Sequence, residues 1–238
     1  MAIASFKRYE IKFLIDKKQL NALMPEILEH MNPDAYCTNG RYYYIYNIYY
    51  DTEDNAIIRS SLDKPYYKEK LRLRSYTSPT PPDGSVFLEI KKKTGGIVHK
   101  RRAVMSLTDA CRFIETGEQP SSATYIDGQV INEIGFFLQQ NKVHPAAYIG
   151  YRRKAYFGKD DKNFRITFDS SIETRRTEIC LTKDCRGEPL LEDGQYLMEV
   201  KIPGAVPIWL ADKLAELQIY KTSFSKYGTE YARSKILC

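Results

Sequence analysis

The residues best suited to chemistry fall between positions 66 and 102, in YYKEKLRLRSY, VFLEIKKK and VHKRRAV. Lys68, Lys70, Arg72 and Arg74 occupy alternate positions, with Leu71 and Leu73 between them. A strand turns alternate side chains to opposite faces, so the cations share one face and the leucines the other. Glu89, Lys91 and Lys93 repeat the pattern against Leu88 and Ile90, and Lys100 and Arg102 form a third set. Two readings fit this pattern. It is either the solvated face of an antiparallel sheet or a surface that holds a polyanion, with Arg as a bidentate fork for phosphate oxygens and Lys as a point charge.

The elements that must position these residues run the length of a 238-residue chain. No Pro/Gly/Ser-rich linker divides it, and SPTPPDGS at 78–85 reads as a long hairpin connection. We therefore expect one domain over residues 1–238. The formal charge is +6, with 36 basic against 30 acidic residues, so local concentration carries more information than the total. Cys37, Cys111, Cys180, Cys185 and Cys238 make no CxxC pair and no zinc ligand set. Neither a signal peptide nor a run of about 20 apolar residues is present, and a reduced, cytoplasmic chain is expected.

In order, FKRYEIKFLI reads as a strand with Arg8, Glu10 and Lys12 on one face. Asp16 caps a helix over KKQLNALMPEILEHM, where Pro25 should kink it or mark a restart. RYYYIYNIYYDT is a tyrosine-dense strand, read as structural, with a base-stacking platform as the alternative. SLTDACRFIETG and residues 127–142 read as helices, the first ended by Gly117. Two strands follow, PAAYIGYRRKAYFG and KNFRITFDSSI, then TRRTEICL as a further strand and QYLMEVKIPG as the next. Helices follow Pro207 and close the chain.

Six strands thus set charge on one parity against aliphatic or aromatic residues on the other. The class is α+β, and the number of strands suits a closed antiparallel barrel with helices outside. If the apolar parity receives the helices, the charged parity lines a lumen. Like charges there repel unless paired, at a cost of several kcal/mol each, and a polyphosphate group would supply the missing negative charge. Interspersed carboxylates could hold a divalent metal. His30, His99 and His144 form no constellation.

Taken together, RYEIKF, NIYYDT, KLRLRSY, LEIKKK, VHKRR, YRRKAY, FRITFD, LMEVKI and FSKYGT, in that order, resemble the triphosphate tunnel metalloenzymes. The resemblance is closer to their VTC branch, the polyphosphate polymerase domain of the eukaryotic vacuolar transporter chaperone and its bacterial relatives. It implies an eight-stranded antiparallel tunnel. The implied phosphate ligands are Lys12, Arg72, Arg74, Lys91, Lys100, Arg102, Arg153, Arg165, Lys201 and Lys226. Lys226, Arg74 and Lys91 are those expected to serve catalysis. Glu199, with Glu10 and Glu89, is the implied ligand set for Mn²⁺ or Mg²⁺. The eukaryotic proteins add a phosphate-sensing domain and membrane helices, which this sequence does not show. Hydrolytic relatives open with ExExK, and Arg8 stands at the first Glu position, which weighs against the triphosphatase and cyclase branches.

The implied activity is transfer of the γ-phosphate of ATP onto a polyphosphate chain. Alternatives are a metal-dependent hydrolase of tripolyphosphate or nucleoside triphosphates, and a non-catalytic binder of polyphosphate or nucleic acid. Nucleic acid is not the expected partner.

Overall fold

The computed structural model describes residues 9–95, 97–121, 124–184 and 186–236, without the side chains of residues 38 and 39. The expectations for Arg8, Cys185 and Cys238 lie outside the described residues. In chain order the elements are β1 (Tyr9–Asp16), α1 (Lys17–His30), β2 (Met31–Pro33), a 3-10 turn (Ala35–Gly40), β3 (Tyr43–Asp51), α2 (Ala56–Leu62), β4 (Tyr67–Ser75), β5 (Ser85–Thr94) and β6 (Ile97–Ser106). There follow α3 (Leu107–Thr116), α4 (Tyr125–Gln140), β7 (His144–Gly158), β8 (Arg165–Arg175), β9 (Glu188–Pro189), β10 (Gln195–Ile202), α5 (Ile208–Glu216), β11 (Lys221–Thr222) and α6 (Lys226–Ile236).

The strands form one sheet in the order β11-β1-β10-β8-β7-β3-β4-β5-β6, with β2 paired to β7 and β9 to β8. This corrects the expectation of a closed eight-stranded barrel. Eight strands have eight residues or more, and β2, β9 and β11 are fragments of two or three residues. The hydrogen-bonded order is open, ending at β11 and β6. Edge strand β6 carries Lys100, Arg101 and Arg102 in succession, and charge at an edge discourages further pairing. TRRTEICL is also not a strand of its own. Thr174 and Arg175 end β8, and Glu178 beyond them has φ +47°. Arg176 there turns to a carboxylate on α6, Glu230, in place of a ladder.

The chain divides into two compact units. The first comprises Met1–Tyr44, Tyr151–Ile172 and Pro189–Ser225. In it, β1 pairs antiparallel with β10 from Tyr9↔Ile202 to Asp16↔Gln195, and β10 with β8 from Leu197↔Asp169 to Lys201↔Arg165. The apolar parity of these strands, including Phe13, Ile15, Ile166, Phe168, Met198 and Val200, packs with Leu23 and Ile27 of α1 and Leu210 and Leu214 of α5. Asp16 and Gln19 form a reciprocal capping box at the start of α1. Pro25 does not restart the helix: α1 runs through it as one element. Its ring lies on the exposed side, where water can satisfy the carbonyl that loses its N–H partner.

The second unit comprises Ile45–Gly150, Glu173–Glu188 and Lys226–Cys238. Here β3, β4, β5 and β6 form an antiparallel meander. Leu71, Leu73, Leu88, Ile90 and Ala103 pack with Phe113 of α3 and Ile131, Ile134 and Phe137 of α4. Leu71 and Leu73 are fully buried, each worth about 1.5–3 kcal/mol relative to exposure. Ser106 and Thr124 cap the two helices, and Gly117 ends α3 at φ +77°, a left-handed position that glycine adopts without a Cβ clash.

Candidate anion-binding and metal-binding sites

Alternation along β4, β5 and β6 sets Lys68, Lys70, Arg72 and Arg74 on the face opposite the leucine core. The register adds Lys91, Lys93, Lys100 and Arg102 to that face. Two of the rungs are like-charged, Lys68↔Lys93 and Lys70↔Lys91, and Lys91 is in turn opposite Lys100. Among the described residues of these three strands, Glu89 is the one carboxylate on this face.

Glu89 is 1% exposed. Its Oε2 lies 2.6 Å from Arg72 Nε and 3.7 Å from Arg74 Nε, and its Oε1 lies 2.7 Å from Lys100 Nζ. Burial pushes its pKa up, but Arg72, Arg74 and Lys100 outweigh that and hold the carboxyl far below the usual range. Lys100 shows the reverse balance. Burial pulls its pKa down and Arg72 and Arg74 pull it further, against Glu89, leaving it at about 7. With both oxygens on cations, Glu89 is placed as the counter-ion of the basic face, a role the sequence reading did not separate from metal ligation.

Further acceptors on this side come from β3. Tyr49 Oη accepts from Arg72 Nη1 at 3.2 Å, and Asn47 Oδ1 accepts from Arg74 Nε at 3.0 Å. Asn47 Nδ2 donates to the Ile149 carbonyl at 2.9 Å, which fixes the orientation of the amide. Asp51, fully buried, accepts from the backbone N–H groups of Thr52, Ile57 and Ile58 and from Tyr227 Oη at 2.8 Å. Burial and then Asp51 raise the Tyr227 pKa. Burial also acts to raise Tyr49, but Arg72, Lys226 and Arg74 outweigh it and lower that phenol. Lys226, buried, opens α6. Arg102 lies opposite Glu89 in register, exposed, with its guanidinium 4.7 Å from the Phe87 ring centroid.

The first unit gathers Glu10, Lys12, Arg153, Asp169, Glu199 and Lys201. Lys12 Nζ lies 3.4 Å from Glu10 Oε1 and 3.9 Å from Glu199 Oε1, and donates to the Phe224 carbonyl at 3.1 Å. Lys201 Nζ lies 3.2 Å from Glu199 Oε2 and 4.0 Å from Glu10 Oε2. The β1–β10 register sets Glu10 opposite Lys201 and Lys12 opposite Glu199, so the two carboxylates share two ammonium groups. Arg153 makes a bidentate pair with Asp169 at 2.6 and 2.7 Å and reaches Glu199 at 3.5 Å. Burial acts to lower the Arg153 pKa, but Asp169 outweighs it and raises it. Arg165 lies opposite Lys201 in register and is held by Tyr43 Oη at 3.2 Å, near Asp34 at 3.6 Å. Burial pushes the Tyr43 phenol up to about 12.

The two sets differ in composition. Cations dominate on β4–β6, whereas carboxylates and cations alternate on β1, β8 and β10. A hard divalent cation takes carboxylate oxygens. Glu10 and Glu199 offer such oxygens across β1 and β10, but Lys12 and Lys201 lie against both carboxylates and Arg153 against Glu199, much as Arg72, Arg74 and Lys100 lie against Glu89, so a metal ion at any of the three would have to displace an ammonium or guanidinium group. Sequence reading missed Asn47, Tyr49, Asp51 and Tyr227. The signal for the first three was the shared parity of positions 47, 49 and 51 in NIYYD; Tyr227 carried none.

The VTC domain model matches residues 7–235. No curated protein matches the sequence. Among solved structures, a candidate adenylate cyclase from Bacillus halodurans superposes with a TM-score of 0.53 at 13% identity, over 92% of this chain and 95% of that one. HpAC1 from Hippeastrum, a candidate adenylyl cyclase described as having a dominant triphosphatase activity, gives a TM-score of 0.52 at 15% identity, over 94% of each chain. These likenesses show that the chain shares the fold of those two proteins. With nearly its whole length matched, the chain belongs to the VTC domain family.

Proposed function

We propose that the chain is a metal-dependent phosphotransferase that moves the γ-phosphate of ATP onto the end of a polyphosphate chain. The observation that carries this reading is the basic face of β4–β6, where Arg72, Arg74 and Lys100 converge on the single carboxylate of Glu89. Such an excess of cations costs free energy in an empty protein and is offset when phosphate oxygens arrive. Family membership favours polyphosphate over other phosphate anions.

In the proposed reaction a terminal phosphate oxygen of the acceptor attacks the γ-phosphorus. The bond from that phosphorus to the β–γ bridging oxygen breaks, and ADP leaves with the electron pair. The attacking oxygen is already ionised near neutral pH, so no histidine base is needed. Arg72, Arg74, Lys91 and Lys100 bind and orient the phosphates on their face, and Lys226 adds charge from the start of α6. Positioning and charge stabilisation supply most of the rate in such transfers. Lys12, Arg153, Arg165 and Lys201 are the phosphate ligands proposed for the first unit. Glu10 and Glu199 would hold Mn²⁺ or Mg²⁺, which when bound neutralises phosphate oxygens.

The test is incubation with ATP and Mn²⁺. Long anionic chains resolved on a gel support the assignment; release of free phosphate alone overturns it in favour of a hydrolase. Arg74→Met should abolish tripolyphosphate binding in calorimetry, with the circular dichroism spectrum retained.

A further inference from the structure

Arg72 and Arg74 are long side chains that repel each other and Lys100. Left to themselves they would splay, and immobilising each costs up to about 2 kcal/mol of rotamer entropy. Glu89 draws all three inward, yet one carboxylate cannot set the direction of two guanidinium planes. Two further acceptors come from the neighbouring strand, and the register is direct: Asn47 lies opposite Arg74 and Tyr49 opposite Arg72. Each residue hydrogen-bonds its own cross-strand partner, at 3.0 and 3.2 Å.

Both acceptors are neutral. A carboxylate at either position would orient the guanidinium and cancel its charge. An amide and a phenol orient it and leave the positive charge for an incoming anion. Each acceptor is itself held from behind. The Ile149 carbonyl fixes the Asn47 amide. The Tyr49 ring stacks on Tyr227 with centroids 4.8 Å apart, and Tyr227 is tied by its hydroxyl to the buried Asp51.

We propose that Asn47 and Tyr49 are positioning residues of the anion site, an uncharged row on β3 that sets the guanidinium planes of Arg74 and Arg72 without neutralising them. The proposal rests on the reading of β4–β6 as a polyphosphate-binding face and adds what makes that face selective. Guanidinium groups fixed in advance bind a phosphate chain with less ordering to be done on arrival, whereas free cations would bind any polyanion.

Asn47 is fully buried, and its replacement threatens β3 itself, so Tyr49→Phe carries the test. It keeps the ring and its stack and removes one hydroxyl. Tripolyphosphate affinity is measured by calorimetry at low salt for the wild type, Tyr49→Phe, Arg72→Met and the double variant, with a thermal melt of each. The hydroxyl's loss should weaken binding about fivefold to tenfold, the size of one ordinary hydrogen bond. In the Arg72→Met background the same change should have no further effect beyond about twofold, because the group being positioned is gone. A purely structural role would shift the melting temperature and act equally in both backgrounds. Equal losses in the two backgrounds, or none in either, overturn the positioning role and leave the polyphosphate face standing. A wild type that fails to bind tripolyphosphate overturns both.

Discussion

Lys100 Nζ lies 2.7 Å from Glu89 Oε1, and that same carboxylate lies 2.6 Å from Arg72 Nε and 3.7 Å from Arg74 Nε. One buried negative charge therefore holds three basic groups in place, and competes with any phosphate for them. Glu89→Gln should destabilise the protein by about 3–5 kcal/mol, the usual effect of breaking a buried ion pair. The same change should tighten tripolyphosphate binding. A urea melt with and without tripolyphosphate checks both, since the ligand should restore more stability to the variant than to the wild type.

The depressed pKa of Lys100 gives a linkage of unusual sign. Between about 7 and the ordinary lysine value of 10.5, the unfolded chain binds a proton that the folded chain has lost. This group therefore makes stability rise with pH across that window. Glu89 acts lower down: its contribution is present above about 4.5 and is lost as pH falls below it. An arriving phosphate recharges Lys100, so tripolyphosphate binding at pH 8 should take up more protons in the wild type than in Lys100→Met. Calorimetry in two buffers of different ionisation enthalpy reads the difference.

Arg153 and Asp169 are both buried and joined by two short hydrogen bonds. Asp169→Ala leaves a guanidinium without its main counter-charge. The expected loss is about 3–5 kcal/mol, a fall of roughly 10 °C in melting temperature for a chain of this size. A melt that moves by less than about 2 °C would contradict this.

Glu199→Gln removes one of the two carboxylates proposed for the metal and leaves Lys201 and Arg153 in place. Activity titrated with Mn²⁺ should shift to at least tenfold higher metal concentration, in keeping with the loss of a charged ligand, while the fold is kept. An unchanged titration would remove Glu199 from the metal site.

What the sequence made legible follows from short-range rules. The two-residue strand period brings Arg72 and Arg74 to one face and Leu71 and Leu73 to the other, whatever the strand pairs with. Periodicity and caps likewise announce α1, α3 and α4. Helix α2 was not legible: it has seven residues, and its start is secured by Asp51 taking the backbone N–H groups of Ile57 and Ile58. Nor could alternation show that the charged residues fall into two sets. That depends on register between strands far apart in sequence, as when Lys12 meets Glu199. Asn47 and Tyr49 escaped notice because neutral residues carry no charge pattern. Their role appears only once β3 is set against β4.

The like-charged rungs Lys68↔Lys93, Lys70↔Lys91 and Lys91↔Lys100 also bear on how the chain folds. These pairs must approach as the β4–β5–β6 meander closes, and directly opposed like charges resist that closure. At 0.1 M salt the screening length is about 10 Å, and it shortens as salt is added. Refolding of this meander should therefore accelerate with ionic strength. Tripolyphosphate present during refolding should lower the same barrier, so that the proposed ligand would assist assembly of its own site.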